Sequence, residues 1–446
     1  MDRIELDFKN TAGKIKYMNA VNNGPVGKGV RDSYTNFHTY KDAHISYARN
    51  HDASFYTPYG GEHTVDVHRI FRNFDADEND PASYIFEPTD KYLLNICEVG
   101  TKVYYRLGAS IEHGYKFGTY PPKDFAKWAR ICEHIIMHYN EGWANGYNLD
   151  IEYWEIWNEP DGINPDGISA TWQGTPEQFV DLYSVTAKHL KERFPYIKIG
   201  GPAFTSSYCH DYIVKFLSSL RDNNTPLDFF SFHLYSHRVE EFSEATNHAK
   251  KYLDEYGFAN TELHLNEWNY VRGWLGEEWN YSLRTEKNLK GSSFIAGVMA
   301  DCQDSPLDML MYYDARPCGM NGMFENETFR PLKGYYPFVM FHELLKLGTH
   351  VKTDKVNNIF SCAATDKKNG AIMLTHYSDD DSTKPTDVSI RCTNFNSSSV
   401  RAEYYLLDED NDMKMIRSET FTASEFIINL NMKIHSTYLV KFISLS

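Results

Sequence analysis

Short apolar runs closed by turn residues alternate along most of this sequence with longer stretches in which apolar positions recur every three to four residues. Residues 15–22, 45–52, 102–108, 151–157, 197–202, 228–235, 263–269 and 308–314 read as eight strands. The spacing predicts helices over 90–99, after Pro121-Pro122 and after Thr175. Phe125, Trp128, Cys132, Ile135, Ile136 and Tyr139 share one face of the second helix. Thr175-Pro176-Glu177-Gln178 is a capping box with proline at the first helical position, and Phe179, Leu182, Tyr183 and Leu190 then fall inward. Residues 337–347 form a last helix stopped by Gly348. Strands and helices in this alternation belong to the α/β class, and eight repeats close a (β/α)8 TIM barrel.

The two ends of the chain follow another pattern. Ile4, Leu6 and Phe8 alternate with charged neighbours, as in a half-exposed strand. From residue 349 short alternating strands are joined by turn-rich links such as 379–383 and 408–412. The chain of 446 residues is also longer than the roughly 250 of one barrel. A catalytic barrel over 13–348 is therefore expected, with a C-terminal β-sandwich accessory domain over 349–446 completed by strand 1–12. The acidic links lack the ligand and glycine pattern of a calcium loop, so solvated turns are expected there. A long loop without regular structure, carrying Gly60-Gly61, is expected over 55–88. Residues 24–29 turn the chain after the first strand, and Gly27-Lys28-Gly29 lacks the spacing of a phosphate loop.

Two of the strands end in the same chemistry. Residues 151–161 run apolar and aromatic into Asn158-Glu159-Pro160, and residues 263–269 run into Asn266-Glu267-Trp268. Their separation is about that of three βα units of ~30 or more residues each, as expected for the fourth and seventh barrel strands. Side chains at the carboxyl ends of barrel strands face the active site, so both carboxylates would enter one pocket. Glycosidic bond cleavage with retention needs such a pair, one nucleophile and one acid/base. Spacing alone does not decide which is which.

These stretches resemble clan A glycoside hydrolases, with Asn-Glu-Pro on strand 4 and a nucleophilic glutamate on strand 7. Within the clan the chain is most similar to family 39, the family of β-xylosidases and α-L-iduronidases. The resemblance implies Glu159 as acid/base and Glu267 as nucleophile, with no metal or cofactor. Asn158 would then bond the sugar 2-hydroxyl, Arg49 orient the nucleophile, and His51 lie near the sugar. His233 and Tyr235 match the family's His-x-Tyr, whose tyrosine bonds the nucleophile, while Tyr313 and Trp172 are candidates for floor and wall of the sugar pocket. Arg106 stands where relatives often carry an acid, and Tyr312-Tyr313-Asp314 where many carry a tryptophan; both bear on the substrate. The implied function is a retaining exo-glycosidase of β-xylosidase type, with α-L-arabinofuranosidase and α-L-iduronidase behind it. Two other classes compete: an inactive carbohydrate-binding barrel, and a metal-dependent hydrolase built on His51, His63, His68 and His233.

Composition narrows the partners. A net charge of −16 without a basic block gives no footprint for nucleic acid, and no run reaches the length of a membrane span. Residues 1–8 contain no apolar signal core. Seven scattered cysteines without Cys-x-x-Cys spacing fit reduced thiols in a cytoplasm. His134 and His138, one helical turn apart, read as a surface pair rather than a metal site. The expected partner is a glycoside or oligosaccharide, with a homo-oligomer left open.

Overall fold

The computed structural model describes residues 2–27, 35–51, 63–110, 118–162 and 169–445. Eight parallel strands close into a barrel: β3 (Tyr17–Asn22), β4 (Tyr47–Arg49), β5 (Lys102–Leu107), β6 (Tyr153–Ile156), β7 (Lys198–Phe204), β8 (Phe229–Ser236), β9 (Glu262–Tyr270) and β10 (Met309–Tyr312), the last pairing with the first. Two strands precede them, β1 (Asp2–Asp7) and β2 (Thr11–Lys14). Inside the barrel Ala20, Tyr47, Tyr104, Tyr153, Phe229, Met309 and Met311 pack together and close the end opposite the site. Alternate residues of the same strands point outward and meet the helices.

The helices that cover the barrel include α1 (Phe37–Asp42), α2 (Val67–Ile70), α3 (Glu87–Glu98), α4 (Phe125–Asn140), α5 (Pro176–Arg193), α6 (His210–Asp222), α7 (Glu240–Glu255), α8 (Gly276–Glu286), α9 (Leu289–Gln303) and α10 (Tyr336–Leu347). The capping box forms as read: Thr175 Oγ1 accepts from Gln178 N–H at 3.2 Å and Gln178 Oε1 from Thr175 N–H at 2.9 Å, worth about 1 kcal/mol. Two expectations change. The helix expected at Pro121-Pro122 starts only at Phe125, because Asp124 Oδ1 accepts from Lys127 N–H at 3.0 Å and fixes the start there. The stretch expected as a structureless loop holds α2 and a single 3-10 turn, Pro81–Ser83. Gly60-Gly61 and Lys28-Gly29 lie outside the described residues.

The remaining strands are β11 (Thr349–Val351), β12 (Ile359–Thr365), β13 (Gly370–His376), β14 (Thr386–Thr393), β15 (Val400–Leu407), β16 (Lys414–Phe421), β17 (Phe426–Met432) and β18 (Thr437–Ser444). Six of them form a seven-stranded sheet with β2, which pairs beyond β11, and β14 and β17 form a three-stranded sheet with β1, which pairs parallel with β14. Ile4, Leu6, Val388, Ile390 and Ile428 of the smaller sheet share a core with Val351, Ile372, Leu374, Ala402 and Val440 of the larger. The result is a (β/α)8 barrel carrying a β-sandwich.

The acidic links are exposed at 380–382 and 409–410, as expected of solvated turns, but they are also anchored to the barrel. Asp379 accepts from Tyr270 Oη (2.6 Å) and Arg272 Nη2 (2.7 Å), and Lys290 Nζ reaches Asp381 Oδ1 at 2.9 Å. Lys333 Nζ likewise donates to Asp408 O (2.6 Å) and Asp412 Oδ1 (2.8 Å). Each acidic link thus binds cations from the barrel side. His134 and His138 are buried rather than superficial: the His138 ring stacks on Phe86 at 3.6 Å, and its Nδ1 and Nε2 face Trp143 O (2.8 Å) and Asp90 Oδ1 (3.1 Å). The 3-10 turn Trp143–Asn145 folds over them, with the Trp143 ring 4.6 Å from that of His134, which helical spacing alone does not reveal.

Candidate active site

Glu159 and Glu267 reach one cavity through two different departures from regular strand geometry. In β6 the alternation turns Tyr153 and Glu155 into the barrel and Trp154 and Ile156 outward. The strand then breaks at Trp157 (φ 77°) and Glu159 (φ 46°), both in the left-handed region that non-glycine residues seldom adopt. Surrounding bonds hold this backbone: Trp157 N–H donates to Leu107 O at 2.7 Å, Glu159 N–H to Ala203 O at 2.9 Å, and Thr171 Oγ1 to Glu159 O. A side chain at Gly108 would meet Trp157 Cα at 3.1 Å, so only glycine admits the turn.

In β9 the device is a bulge. His233 pairs with Glu267, whereas Phe232 pairs with Leu265, so Asn266 is the extra residue. Without it, Asn266 inward would force Glu267 outward. With it, Asn266 Nδ2 reaches Glu155 Oε1 at 2.5 Å, Glu267 also faces inward, and Trp268 still packs outward on Phe242.

Arg49 ties these parts together. Its Nε donates to Glu155 Oε2 (2.6 Å), Nη1 to Glu267 Oε1 (2.7 Å) and Asn22 Oδ1 (3.1 Å), and Nη2 to Asn158 Oδ1 (2.7 Å). Burial opposes the Arg49 charge, but Glu155 and Glu267 more than offset it, so the guanidinium holds its proton even more firmly than usual. Tyr235 Oη donates to Glu267 Oε2 at 3.0 Å, and burial followed by the Glu267 charge raises its pKa well above the ordinary phenol value. Both Glu267 oxygens therefore accept hydrogen bonds from groups that stay protonated.

His233 lies between the two carboxylates, with Nδ1 2.7 Å from Glu159 Oε1 and 3.5 Å from Glu267 Oε2. Burial lowers its pKa, and that of His51 falls further under burial and the Arg49 and Arg106 charges. Both rings are neutral near pH 7, and a neutral His233 can either donate to Glu159 or accept its proton. His51 Nε2 stands 3.4 Å from Glu267 Oε1. Ligand atoms of Glu159, His233 and Glu267 all fall within 4.8 Å of one another, the one such trio among the described residues. His51, His63 and His68 are not part of that trio, so among the described residues the four histidines do not gather into one ligand set.

The cavity has a volume of about 1000 Å³; Glu267, Glu159 and Tyr313 line its inner part, and Trp274 stands at its rim. Trp172 does not take the place expected of it. It is 2% exposed and packs edge-on to Trp157 and Phe179, in the layer behind the wall. Sequence reasoning missed Asn22, Glu155, Ser231 and Asn266, of which Ser231 Oγ donates to Glu155 Oε1 at 2.6 Å. Glu155 had a signal: alternation from Tyr153 puts a charged residue inside the barrel, where a buried cation must meet it. Trp274 and Trp279 were also missed, since they lie after a strand that drew attention only to its carboxylate.

Comparison with known proteins places this architecture. A beta-xylosidase of Geobacillus stearothermophilus is 26% identical over 177 residues, 35% of this chain and 33% of that protein. A beta-xylosidase of Caldicellulosiruptor saccharolyticus is 26% identical over 233 residues, 46% of this chain and 43% of that protein. The chain thus spans less than half the length of these curated relatives. A glucosidase from Croceicoccus marinus matches in fold with a TM-score of 0.81 at 19% identity, covering 100% of both chains. The profile of the glycosyl hydrolases family 39 matches residues 8–307, well over half of the sequence, and the chain belongs to that family.

Proposed function

We propose that the chain is a retaining exo-glycosidase of β-xylosidase type, with Glu267 as nucleophile and Glu159 as acid/base. The observation that carries the reading is the meeting of the two carboxylates in one cavity, with an oxygen of each within 4.8 Å of the other. An approach this close is nearer the roughly 5–5.5 Å carboxyl separation of retaining enzymes than the about 6.5–9.5 Å of inverting ones, and so supports retention. Glu267, ionised and fixed by Arg49 and Tyr235, attacks the anomeric carbon. As the glycosidic C–O bond breaks, Glu159 passes its proton to the departing oxygen. Water then attacks the glycosyl ester while Glu159 takes the water's proton, and Glu267 leaves as carboxylate.

The buried Asn158 Nδ2, without a partner among the described residues, supports its role as donor to the sugar 2-hydroxyl. The inward Tyr313 supports a floor beneath the ring. A uronide-cleaving activity would call for a cation to meet the sugar carboxylate. Among the described residues, Arg49, Arg106 and Arg316 are the arginines near the site, and they are paired with Glu267, Asp66 and Asp314, which favours neutral glycosides. A panel of nitrophenyl pentosides, hexosides and uronides, with proton NMR of the first sugar released, tests the proposal. Retained anomeric configuration on a β-xyloside is expected; inversion, or no turnover on any glycoside, contradicts it.

A further inference from the structure

The cavity continues outward from the carboxylates for more than one sugar ring, and its outer part is aromatic and apolar. Tyr235, whose hydroxyl holds Glu267, meets Trp274 edge-on at 5.0 Å between ring centroids. Trp274 stacks on Trp279 at 5.3 Å and 26°, and Leu283, Pro317 and Met320 continue the surface. Exposure rises along this path, from 4% at Glu267 to 54% at Trp274. A large indole open to solvent beside a catalytic cavity is the kind of exposed apolar surface that marks a binding site.

What leaves past Glu159 toward the rim is the aglycone, since the glycone must lie over Glu267. A second sugar there would need free polar groups around its hydroxyls. Among the described residues, the polar side chains of the outer wall each have a protein partner: Thr205 Oγ1 donates to Asp161 (2.7 Å), Ser206 Oγ accepts from Tyr208 N–H (3.1 Å), Arg316 pairs with Asp314 (3.0 Å) and Asn326 Oδ1 accepts from Asn321 Nδ2 (3.3 Å). We infer that the Trp274–Trp279 shelf is the aglycone subsite and that it selects aromatic or other flat apolar aglycones over a second sugar. The inference rests on the glycosidase reading above and adds the class of leaving group.

The test compares ethyl and 2-phenylethyl β-D-xylosides, or the same pair on the glycone that the wild-type chain turns over fastest. Their alcohols leave with similar ease, so the ratio of kcat/KM isolates contact with the phenyl group. The wild type is expected to prefer the 2-phenylethyl glycoside over both the ethyl glycoside and xylobiose. Trp274→Ala, at an exposed position, should lower the phenylethyl-to-ethyl ratio about tenfold, through KM more than kcat. Trp274→Phe should restore most of it. A ratio that Trp274→Ala leaves unchanged, or a wild type that prefers xylobiose, overturns this inference while the glycosidase reading stands. Absence of turnover on every glycoside overturns both.

Discussion

Arg49 Nη1 lies 2.7 Å from Glu267 Oε1, with neither side chain more than 5% exposed. The same guanidinium is fixed by Glu155 and Asn158, so the orientation of Glu267, the proposed nucleophile, is inherited from a carboxylate one layer deeper. Lysine offers one compact charge in place of this fork. Arg49→Lys should therefore lower kcat by about 10²-fold or more, with a smaller change in KM. Steady-state kinetics with a circular dichroism control for folding checks this, and a kcat within a factor of about three of wild type would exclude the role.

Glu159 should matter in proportion to how badly the leaving group needs a proton. Glu159→Ala should nearly abolish cleavage of natural glycosides, while glycosylation by an activated aryl glycoside is affected far less. Deglycosylation then lacks its base, so the intermediate accumulates and azide speeds turnover. Equal losses on both substrate classes, without azide rescue, would remove Glu159 from the acid/base role.

Periodicity and capping made the barrel legible, since each βα unit buries its own stripe and is bounded by its own turn residues. The two Asn-Glu strand ends were legible for the same reason. What aims the glutamates was not: the bulge at Asn266 and the left-handed Trp157 are responses to packing by Leu107, Gly108 and Ala203, far apart in sequence. Helix α9 is buried along its whole length between barrel and sandwich, so it lacks the polar face that announces a surface helix. The anchoring of the acidic links was not legible because their partners, Arg272, Lys290 and Lys333, sit between about 75 and 110 residues away in the chain.

Those links make a stability prediction. Lys290 is 5% exposed on its side chain and faces both Asp379 and Asp381. Asp379→Asn leaves Lys290 and Arg272 short of a counter-charge, and should cost about 2–3 kcal/mol, somewhat less than a fully buried pair. Urea unfolding measures it; a cost below about 0.5 kcal/mol, the level of an ordinary surface change, would show that the barrel–sandwich ion cluster is not structural.

Stability should also decline in acid through the buried imidazoles. Burial, then Arg49 and Arg106, hold the His51 pKa well below its ordinary 6.5. As pH falls below that value the unfolded chain takes up a proton that the folded site refuses, so the unfolded state gains and stability drops. The slope from His51 alone is at most about 1.4 kcal/mol per pH unit, until its folded pKa is reached. Unfolding free energies of His51→Asn between pH 7.5 and 5 should show a shallower decline than wild type. A parallel decline would place the acid sensitivity elsewhere.

The central claim is that Glu267 forms the bond to the sugar. Incubation with a 2-deoxy-2-fluoro β-xylosyl fluoride, which forms the glycosyl ester quickly and releases it slowly, followed by proteolysis and mass spectrometry, tests it most directly. The account predicts one sugar per chain, on the peptide containing Glu267, and none in Glu267→Gln. A label on Glu159 or any other residue would contradict it.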